Sequence, residues 1–329
     1  MNKVFVTGAD GMLGSSICRE LLNQNYKVKA MCLPHSEAAT LVGLPIEIVK
    51  GDILDKDYLL KAMIDCDLVI NVAALTHVWP RRNEKVNEVN YVGAKNIMEV
   101  VETLKLKRMV HIGSASSFKH GSKTNPGDEN CDFDGWNYKM DYIESKYLAQ
   151  KMLLDKFKDS GFPVIIINPT FMIGPFDSGP SSGEMLIKFY NNCIPGYSGG
   201  GKNFVCSKDV ATAAVNALKK GKNGNCYIAG NENLEYKEFL LKASKIMGKD
   251  FELKKIPQPL ILFVGIVNSC IARITNKKPK LSYGIAKLAI ISQYFSAKRA
   301  VTELDMPQTP IEEGIKQCVN WFQNNGYIK

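Results

Sequence analysis

The first half of the chain alternates between short apolar runs and longer amphipathic segments, and this alternation limits the possible folds. Six runs are predicted strands, and they lie at residues 3–7, 26–32, 46–50, 68–71, 108–112 and 163–167. Four intervening segments are predicted helices, at residues 12–22, 58–63, 88–104 and 141–157. Such alternation is typical of parallel strands joined by right-handed crossover helices. The sequence therefore predicts an α/β fold with a doubly wound parallel sheet, whose ligand binds at the carboxyl ends of the strands.

A glycine-rich turn follows the first predicted strand and opens the first predicted helix. It reads Thr-Gly-Ala-Asp-Gly-Met-Leu-Gly over residues 7–14. The spacing is Gly-x-x-Gly-x-x-Gly rather than the Gly-x-Gly-x-x-Gly fingerprint. Glycines let the backbone approach a pyrophosphate closely, and the free amides of the helix amino terminus favour its negative charge. Between a strand and a helix, this turn indicates a dinucleotide site of the Rossmann type.

After Pro169 the alternation gives way to turns rich in glycine and proline, at residues 174–175, 179–180 and 199–201. This change predicts two parts. Residues 1–168 form a dinucleotide-binding domain, to which a later segment at about 203–228 returns. Residues 169–329 form mainly a smaller carboxyl-terminal substrate-binding cap, which we expect to pack over the strand ends.

Tyr142 and Lys146 are the strongest candidates for chemistry. Residues four apart share a helix face, so the phenol and the ammonium can project into one site. An unperturbed tyrosine has a pKa of about 10, and a nearby cation lowers it toward neutrality, where the group can exchange protons. The same spacing also occurs on solvated helix faces. The functional interpretation therefore depends on the surrounding motifs.

Composition narrows the class of protein. The net charge of +9 comes mainly from scattered lysines, without a basic face interleaved with aromatic residues, which favours a solvated surface over nucleic-acid binding. Nine widely spaced cysteines and four histidines show neither a disulfide framework nor metal-ligand spacing, so no metal is predicted. The chain begins without a secretory signal pattern, and we expect a cytoplasmic protein.

Residues 259–268 form a strongly apolar stretch that Asn268, Ser269 and Arg273 interrupt. A membrane-spanning helix needs about 20 apolar residues. The favoured interpretation is therefore a buried or lid helix and no membrane span. Shallow membrane contact near residues 259–272 is the alternative.

The order of the motifs resembles that of the extended short-chain dehydrogenases/reductases. The resemblance rests on residues 7–14, Gly51-Asp52-Ile53, residues 71–74 and 90–93, Ser114, Tyr142-x-x-Ser-Lys146, Asn168-Pro169-Thr170, and the closing segments 308–316 and 321–326. Val205-Cys-Ser-Lys-Asp209-Val-Ala is similar to the dihydroflavonol reductase-like and 3β-hydroxysteroid dehydrogenase-like branch of the NAD-dependent epimerase/dehydratase family.

The resemblance implies roles for individual residues. Ser114 would polarise a substrate carbonyl, Tyr142 would transfer the proton, and Lys146 would hold the nicotinamide ribose and lower the tyrosine's pKa. The implied cofactor contacts are Thr7, Gly8, Gly11, Met12, Leu13, Gly14, Ser36, Asp52, Ile53, Ala73, Ala74, Asn90, Tyr142, Lys146, Asn168, Pro169 and Thr170. The implied substrate contacts are Thr76, Ser116, Phe171 and Met172.

Two of these assignments have open alternatives. Asp52 could instead cap the helix that follows the third strand. Ser116 could take the place of Ser114, because residues 113–117 read Gly-Ser-Ala-Ser-Ser; the position of Ser114 just beyond the fifth strand favours Ser114.

The second predicted strand ends in Cys32-Leu-Pro-His-Ser36, where the type of nicotinamide cofactor is usually decided. No acidic residue is present there to bind the ribose of NAD. Leu33 stands where the branch often has arginine, which weakens the case for NADP. His35 and Ser36 could donate to a 2′-phosphate, and NADP(H) is slightly favoured over NAD(H).

The sequence thus predicts an NAD(P)H-dependent oxidoreductase that reduces a ketone, or oxidises a secondary alcohol, on a fairly apolar small molecule. A nucleotide-sugar epimerase with the same site is the first alternative. A dinucleotide-sensing or scaffold protein without turnover is the second. Family analogy adds a possible homodimer through helices 88–104 and 141–157.

Overall fold

A computed structural model describes residues 2–249, 252–275 and 277–329. The strands are β1 (Lys3–Thr7), β2 (Lys27–Cys32), β3 (Glu47–Lys50), β4 (Leu68–Asn71), β5 (Arg108–Ile112), β6 (Val164–Pro169), β7 (Phe171–Ile173), β8 (Gly196–Tyr197), β9 (Gly201–Cys206), β10 (Cys226–Ala229), β11 (Glu232–Glu235), β12 (Lys254–Lys255) and β13 (Ser292–Gln293). The α-helices are α1 (Met12–Asn23), α2 (Lys56–Met63), α3 (Glu84–Asn87), α4 (Gly93–Leu104), α5 (Asp141–Ser160), α6 (Glu184–Tyr190), α7 (Ser207–Lys220), α8 (Tyr236–Met247), α9 (Gln258–Thr275), α10 (Tyr283–Ala289), α11 (Lys298–Leu304) and α12 (Ile311–Asn324). A π-helical turn over Glu88–Val92 joins α3 to α4.

Seven parallel strands form the central sheet in the order β10-β6-β5-β4-β1-β2-β3. The strand order reverses between β1 and β4, which are hydrogen-bonded neighbours. In doubly wound sheets the crevice at such a reversal, at the carboxyl ends of the strands, is where ligands bind. The predicted doubly wound α/β fold is confirmed.

Apolar side chains on both faces of this sheet form two separate cores. On one face α1 and α7 pack against each other, with Leu21 and Val215 fully buried. On the other face α2 and α4 pack together, with Leu59 and Ile97 fully buried. Strands covered on both faces read as near-continuous apolar runs, which explains why their positions could be predicted so closely.

The chain returns to this domain twice after residue 169. Residues 203–228 were predicted to return, and α7 and β10 lie in the domain as part of that stretch. The helix α11 also returns, and its Ala300 and Leu304 are buried in the same core as α7. The cap is therefore interrupted by segments of the dinucleotide-binding domain.

The cap has its own small sheet, in which β9 pairs with β7, β11 and β13. Its core lies between this sheet and the helices α8 and α12. There Phe204 stacks on Phe239 with ring centroids 4.1 Å apart, and Phe322 is fully buried. Because β7 follows β6 directly, the cap sheet starts at the carboxyl edge of the central sheet.

The apolar stretch at residues 259–268 lies in α9, which was predicted to be a buried or a lid helix; it is not a buried helix, and its role as a lid stays a prediction. Only Ile261, Gly265, Ser269 and Ala272 of α9 are buried. They form one stripe that packs on α10, where a side chain at Gly265 would come within 2.7 Å of the Ala286 Cβ atom. The rest of the helix faces outward. By length and composition alone, this helix of 18 residues could cross a membrane.

Candidate active site

The glycine turn forms a cradle at the carboxyl end of β1. Gly8 has a φ of +59°, and a Cβ atom there would lie 2.8 Å from the Ala73 Cα atom. A Cβ atom at Gly14 would lie 2.1 Å from the Gly8 carbonyl oxygen. Gly11 is the N-cap of α1, so no side chain occupies the first amides of that helix. A turn that excludes side chains and presents free amides fits a dinucleotide pyrophosphate.

Thr7 holds the ends of two strands together. Its buried hydroxyl donates to the Asn71 Oδ1 atom at 2.7 Å and accepts the backbone amides of Val72 and Ala73, each at 3.0 Å. The Asn71 side-chain amide in turn lies 3.1 Å from the His111 Nδ1 atom. Burial, with the charge of Lys146, lowers the pKa of His111 to about 3, so the imidazole is neutral. Thr7 thus positions Ala73, and its hydroxyl already forms three hydrogen bonds within the protein.

The helix α5 carries the predicted proton-transfer pair, and ion pairs fix its amino terminus. The Arg82 guanidinium lies 2.6 Å from the carboxylates of both Asp141 and Glu144. Asp141 also accepts the Asn83 backbone amide at 2.6 Å. Carboxylates in the first turn interact favourably with the positive end of the helix dipole. The loop before α3 therefore anchors the turn from which Tyr142 projects.

Tyr142, Lys146 and Ser114 meet at the carboxyl end of β5. Ser114 is the hydrogen-bonding partner that acts on the pKa of the Tyr142 phenol. Lys146 is buried, and its Nζ atom donates to the Ile112 carbonyl oxygen at 2.8 Å, at the last residue of β5. The structure thus brings together the three residues that were predicted to act in catalysis.

One predicted consequence of this grouping is not observed. The sequence predicted that Lys146 lowers the pKa of Tyr142, but burial raises that pKa above its usual value, and the hydrogen bond with Ser114 opposes the rise. Burial disfavours the phenolate because water no longer solvates its charge. Burial also lowers the pKa of Lys146 to about 8. In this structure the phenol is therefore protonated at neutral pH.

Ser114 and Ser116 are not equivalent. The Ser114 Oγ atom accepts the Ser116 backbone amide at 3.2 Å and lies 2.8 Å from the Ser116 Oγ atom. Ser114 is therefore the N-cap of the short helical turn over residues 115–117. Ser114, and not Ser116, acts on the pKa of the Tyr142 phenol, and Ser116 contacts the Ser114 hydroxyl.

Two buried amides fix the strand ends against α5. Asn90 donates to the Leu75 carbonyl oxygen at 3.0 Å and to the Ser145 Oγ atom at 3.1 Å. Asn168 donates to the Ser114 carbonyl oxygen at 3.0 Å and to the Gln150 Oε1 atom at 2.7 Å. Gln150 was not predicted. Its position four residues after Lys146, on the same helix face, is the signal that could have revealed it.

The carboxyl ends of β2 and β3 form the other end of the cradle. Asp52 accepts the Leu54 amide at 3.0 Å, whereas Asp55 is the residue that caps α2. The alternative interpretation of Asp52 as the helix cap is therefore wrong. Ile53 is buried against Gly93.

Ser36 lies between opposite charges. Its hydroxyl is hydrogen-bonded to the Asp10 carboxylate, and its carbonyl oxygen accepts the Lys50 ammonium at 2.5 Å. The end of β2 lacks an acidic residue in sequence, but the glycine turn supplies one in space. Sequence reasoning missed this because Asp10 lies 26 residues before Ser36.

The predicted substrate contacts lie at the start of the cap. Thr170 donates to the Asn203 Oδ1 atom at 2.8 Å, Phe171 and Met172 are partly exposed on β7, and Thr76 is exposed. Pro169 ends β6, and Ala74 lies in the partly exposed segment after β4.

Lys202 on β9 is a further candidate that sequence reasoning missed. Its Nζ atom donates to the Gln293 Oε1 atom at 2.6 Å and lies 5.3 Å from the centre of the Phe171 ring. Burial lowers its pKa to about 8. Burial, with charges that include Lys202, likewise lowers the pKa of His120, six residues beyond Ser114. Among the residues that the structure describes, no carboxylate pairs with Lys202.

Comparison with known proteins agrees with this arrangement. Residues 4–230 match the NAD dependent epimerase/dehydratase family. A putative dihydroflavonol 4-reductase from Synechocystis sp. is 31% identical, with 99% of this chain and 96% of that protein covered. Sterol demethylase protein B from Methylococcus capsulatus is 24% identical over 98% of this chain and 99% of that protein. The crystal structure of gox2253 is 26% identical, covers 100% of both chains and superposes with a TM-score of 0.87.

The match extends over the glycine cradle, the catalytic helix and the returning strand β10. Relatives that cover between 84% and 99% of this chain are named reductases and a dehydrogenase. The protein is therefore an enzyme of the NAD-dependent epimerase/dehydratase family, in the extended short-chain dehydrogenase/reductase branch.

Proposed function

We propose that this enzyme catalyses the net reduction of a ketone, or the reverse oxidation of a secondary alcohol, on a fairly apolar small molecule. The observation that carries the proposal is the position of Ser114 and of the buried Lys146 ammonium at the carboxyl end of β5, with Ser114 acting on the Tyr142 phenol. A substrate oxygen placed there could bond to both hydroxyls. That arrangement suits proton transfer to a carbonyl oxygen that gains negative charge.

The protonation state favours reduction at neutral pH. The raised pKa of Tyr142 keeps its proton on the phenol, where it is available to a reduced carbonyl oxygen. Lys146, with a pKa of about 8, is mostly an ammonium at pH 7 and would stabilise the phenolate left behind. Ser114 would donate to the developing oxyanion.

The glycine cradle, with Gly8, Gly11 and Gly14, would hold the pyrophosphate of NAD(P), and Lys146 would hold its nicotinamide ribose. When bound, the cofactor supplies or accepts the hydride. The chain's own part is to orient the substrate oxygen against Tyr142 and to move one proton for each hydride. Asn90 and Asn168 would maintain that geometry through Ser145, Ser114 and Gln150.

An apolar substrate is supported by the residues at the start of the cap and by the names of two relatives. Phe171 and Met172 are partly exposed on β7, beside the end of β6. One relative is named for a dihydroflavonol and another for a sterol. Thr76, which is exposed, and Ser116 would contact polar groups of the substrate.

The preference for NADP(H) stays a prediction. Asp10, bonded to Ser36, would repel a 2′-phosphate and accept a ribose hydroxyl, whereas Lys50 would attract the phosphate. Both groups lie at the carboxyl ends of β2 and β3 or in the adjoining turn, so the balance between them would set the choice.

Replacement of Tyr142 by Phe tests the proposal. The variant keeps the ring and loses the proton, so we expect cofactor affinity to change less than threefold while reduction of a ketone panel falls by about 1,000-fold. Tyr147→Phe is the matched control on the same helix, because its ring stacks on Phe133 with centroids 3.9 Å apart and is expected to keep full activity.

The same panel separates a reductase from an epimerase. Net consumption of reduced cofactor with a ketone, followed by absorbance, supports the proposal. Conversion of sugar nucleotides without net change in the cofactor would instead establish an epimerase. Full activity of Tyr142→Phe would refute the assigned proton transfer.

A further inference from the structure

The outward face of α9 is apolar over its full length. Its exposed side chains have between 38% and 83% of their surface accessible, and they are Leu260, Phe263, Val264, Ile266, Val267, Ile271 and Ile274. We call this set the α9 face. Monomeric soluble proteins rarely expose a contiguous apolar patch of this kind unless it is an interaction site.

The helix is held in the fold from its other side. Ile261, Gly265, Ser269 and Ala272 recur at intervals of three or four residues and pack on α10. The Ser269 hydroxyl accepts the Tyr283 backbone amide at 2.8 Å at the start of α10. A helix fixed along one side lies flat on the surface of the protein, and only its outward face is free to contact a partner.

The charged residues in the segment around this helix are all basic. The chain has 42 basic and 33 acidic residues, and residues 253–302 contain no acidic residue. The nine basic residues of that segment equal the whole net charge of +9, and they are Lys254, Lys255, Arg273, Lys277, Lys278, Lys280, Lys287, Lys298 and Arg299. Four of them flank α9 closely, with Lys254 and Lys255 before it and Lys277 and Lys278 after it. Two of these four lysines form ion pairs, Lys254 with Glu252 at 3.3 Å and Lys278 with Glu184 at 3.7 Å.

We propose that the α9 face docks on the surface of an anionic lipid bilayer, with the helix lying in the plane of the interface. Apolar side chains would enter the boundary between headgroups and acyl chains, and the flanking lysines would contact anionic headgroups. Interfacial helices bind through this combination of apolar burial and electrostatic attraction. A second copy of the chain is a poorer occupant, because a symmetric contact would bring two segments together that contain basic but no acidic residues.

Docking in this orientation places the bilayer near the catalytic helix. A cleft of about 200 Å³ lies under α9, and its lining includes Trp79, Arg81, Ile266 and Tyr283. The Arg81 carbonyl oxygen accepts the backbone amide of Asp141, the first residue of α5. The loop that anchors α5 is therefore also a wall of the cleft beneath the docking face. The proposal does not depend on which reaction the enzyme catalyses.

Vesicle flotation with the full-length protein tests the docking surface. We expect binding to vesicles that contain phosphatidylglycerol and at least tenfold weaker binding to vesicles of phosphatidylcholine alone. Replacing Phe263 and Ile274 by Gln should weaken binding to the anionic vesicles at least tenfold. The matched control replaces Val42 and Ile64 by Gln, since these are exposed to 77% and 72% but lie away from α9.

A second pair of variants tests the electrostatic part. Replacing Lys255, Lys277 and Lys280 by Gln should lower vesicle binding by about tenfold or more, as should 0.5 M salt. The control removes the same number of charges from exposed positions of the other domain, Lys61, Lys95 and Lys105, and should leave binding unchanged.

Several outcomes would overturn the proposal. One is failure to bind phosphatidylglycerol vesicles, and another is binding that the Phe263 and Ile274 replacements do not weaken. A concentration-dependent dimer that those replacements dissociate would identify a second copy as the occupant. Retention of the protein in membranes after extraction with alkaline carbonate would indicate a spanning helix rather than an interfacial one. Circular dichroism and a thermal melt would establish that each variant is folded.

Discussion

Lys146 on α5 is buried and Lys202 on β9 is partly buried, and the two lysines lie in different parts of the molecule. Burial lowers the pKa of each to about 8, and neither has a carboxylate partner among the described residues. Lys146 donates to a backbone carbonyl of the central sheet, whereas Lys202 donates to the side chain of Gln293. Burying an ammonium without a counterion costs free energy. Groups whose pKa is shifted by such burial are typical of functional sites.

The difference between their partners shows how the two sides of the site are built. Lys146 is fixed by α5 and β5, and its partner Ile112 is 34 residues away. Lys202 owes its position to the pairing of β9 with β13, and its partner Gln293 is 91 residues away. We therefore propose that the cofactor binds on the sheet side, with Lys146, and that a polar or anionic group of the substrate binds on the cap side, with Lys202.

After Tyr142→Phe, the largest effect is expected for Lys146→Met. Loss of the ammonium removes both a contact to the nicotinamide ribose and the charge that would stabilise the Tyr142 phenolate, so turnover should fall by about 100-fold or more. Cofactor affinity, measured by fluorescence titration, should weaken as well. Unchanged cofactor affinity would contradict the assignment of Lys146 to the cofactor side.

Ser114→Ala should lower turnover by about 100-fold, because it removes a donor to the developing oxyanion. Ser116→Ala is the matched control, since Ser116 contacts the Ser114 hydroxyl and does not act on the pKa of the phenol. We expect its turnover within threefold of the wild type. The reverse ranking of the two variants would identify Ser116 as the polarising hydroxyl.

Lys202→Met should affect the substrate and not the cofactor. We expect kcat/KM to fall by about tenfold, mainly through KM, while cofactor affinity stays the same. Lys202→Arg, which keeps a cation, should recover part of the loss. Equal effects of the Lys146 and Lys202 replacements on cofactor binding would remove the distinction between the two sides.

The smallest effect concerns the choice of cofactor. Asp10→Asn should raise the ratio of kcat/KM with NADPH to that with NADH by several-fold, because it removes a carboxylate beside Ser36. Lys50→Gln should lower the same ratio. A ratio that neither variant changes would place the adenosine ribose away from Ser36.

The sheet side of the site was predictable because its patterns are local. Buried strands of a parallel sheet read as apolar runs, so β5 was predicted at residues 108–112, where the structure has it. The spacing of Tyr142 and Lys146 already placed them on one helix face, and α5 begins at Asp141 as predicted. Helical periodicity and strand position together were sufficient to bring Ser114 to this pair.

The cap side and α9 could not be predicted in the same way. The contact of Lys202 with Gln293 depends on a strand pairing that leaves no local signal in either segment. The apolar composition of α9 is the same for a core helix and for a surface helix, so only the packing of α10 on a single side decides between them. Asp10 likewise reached Ser36 through the fold of the turn and not through the end of β2.

The most direct test of the account follows the hydride itself. The enzyme would be incubated with a ketone of the panel and with cofactor carrying deuterium at the transferring position of the nicotinamide. The account predicts one deuterium on the new carbinol carbon and one oxidised cofactor for each alcohol formed, with both lost in Tyr142→Phe while the variant still binds the cofactor. Epimerised sugar nucleotide with no net oxidation of the cofactor, or deuterium transfer that is unimpaired in Tyr142→Phe, would contradict it.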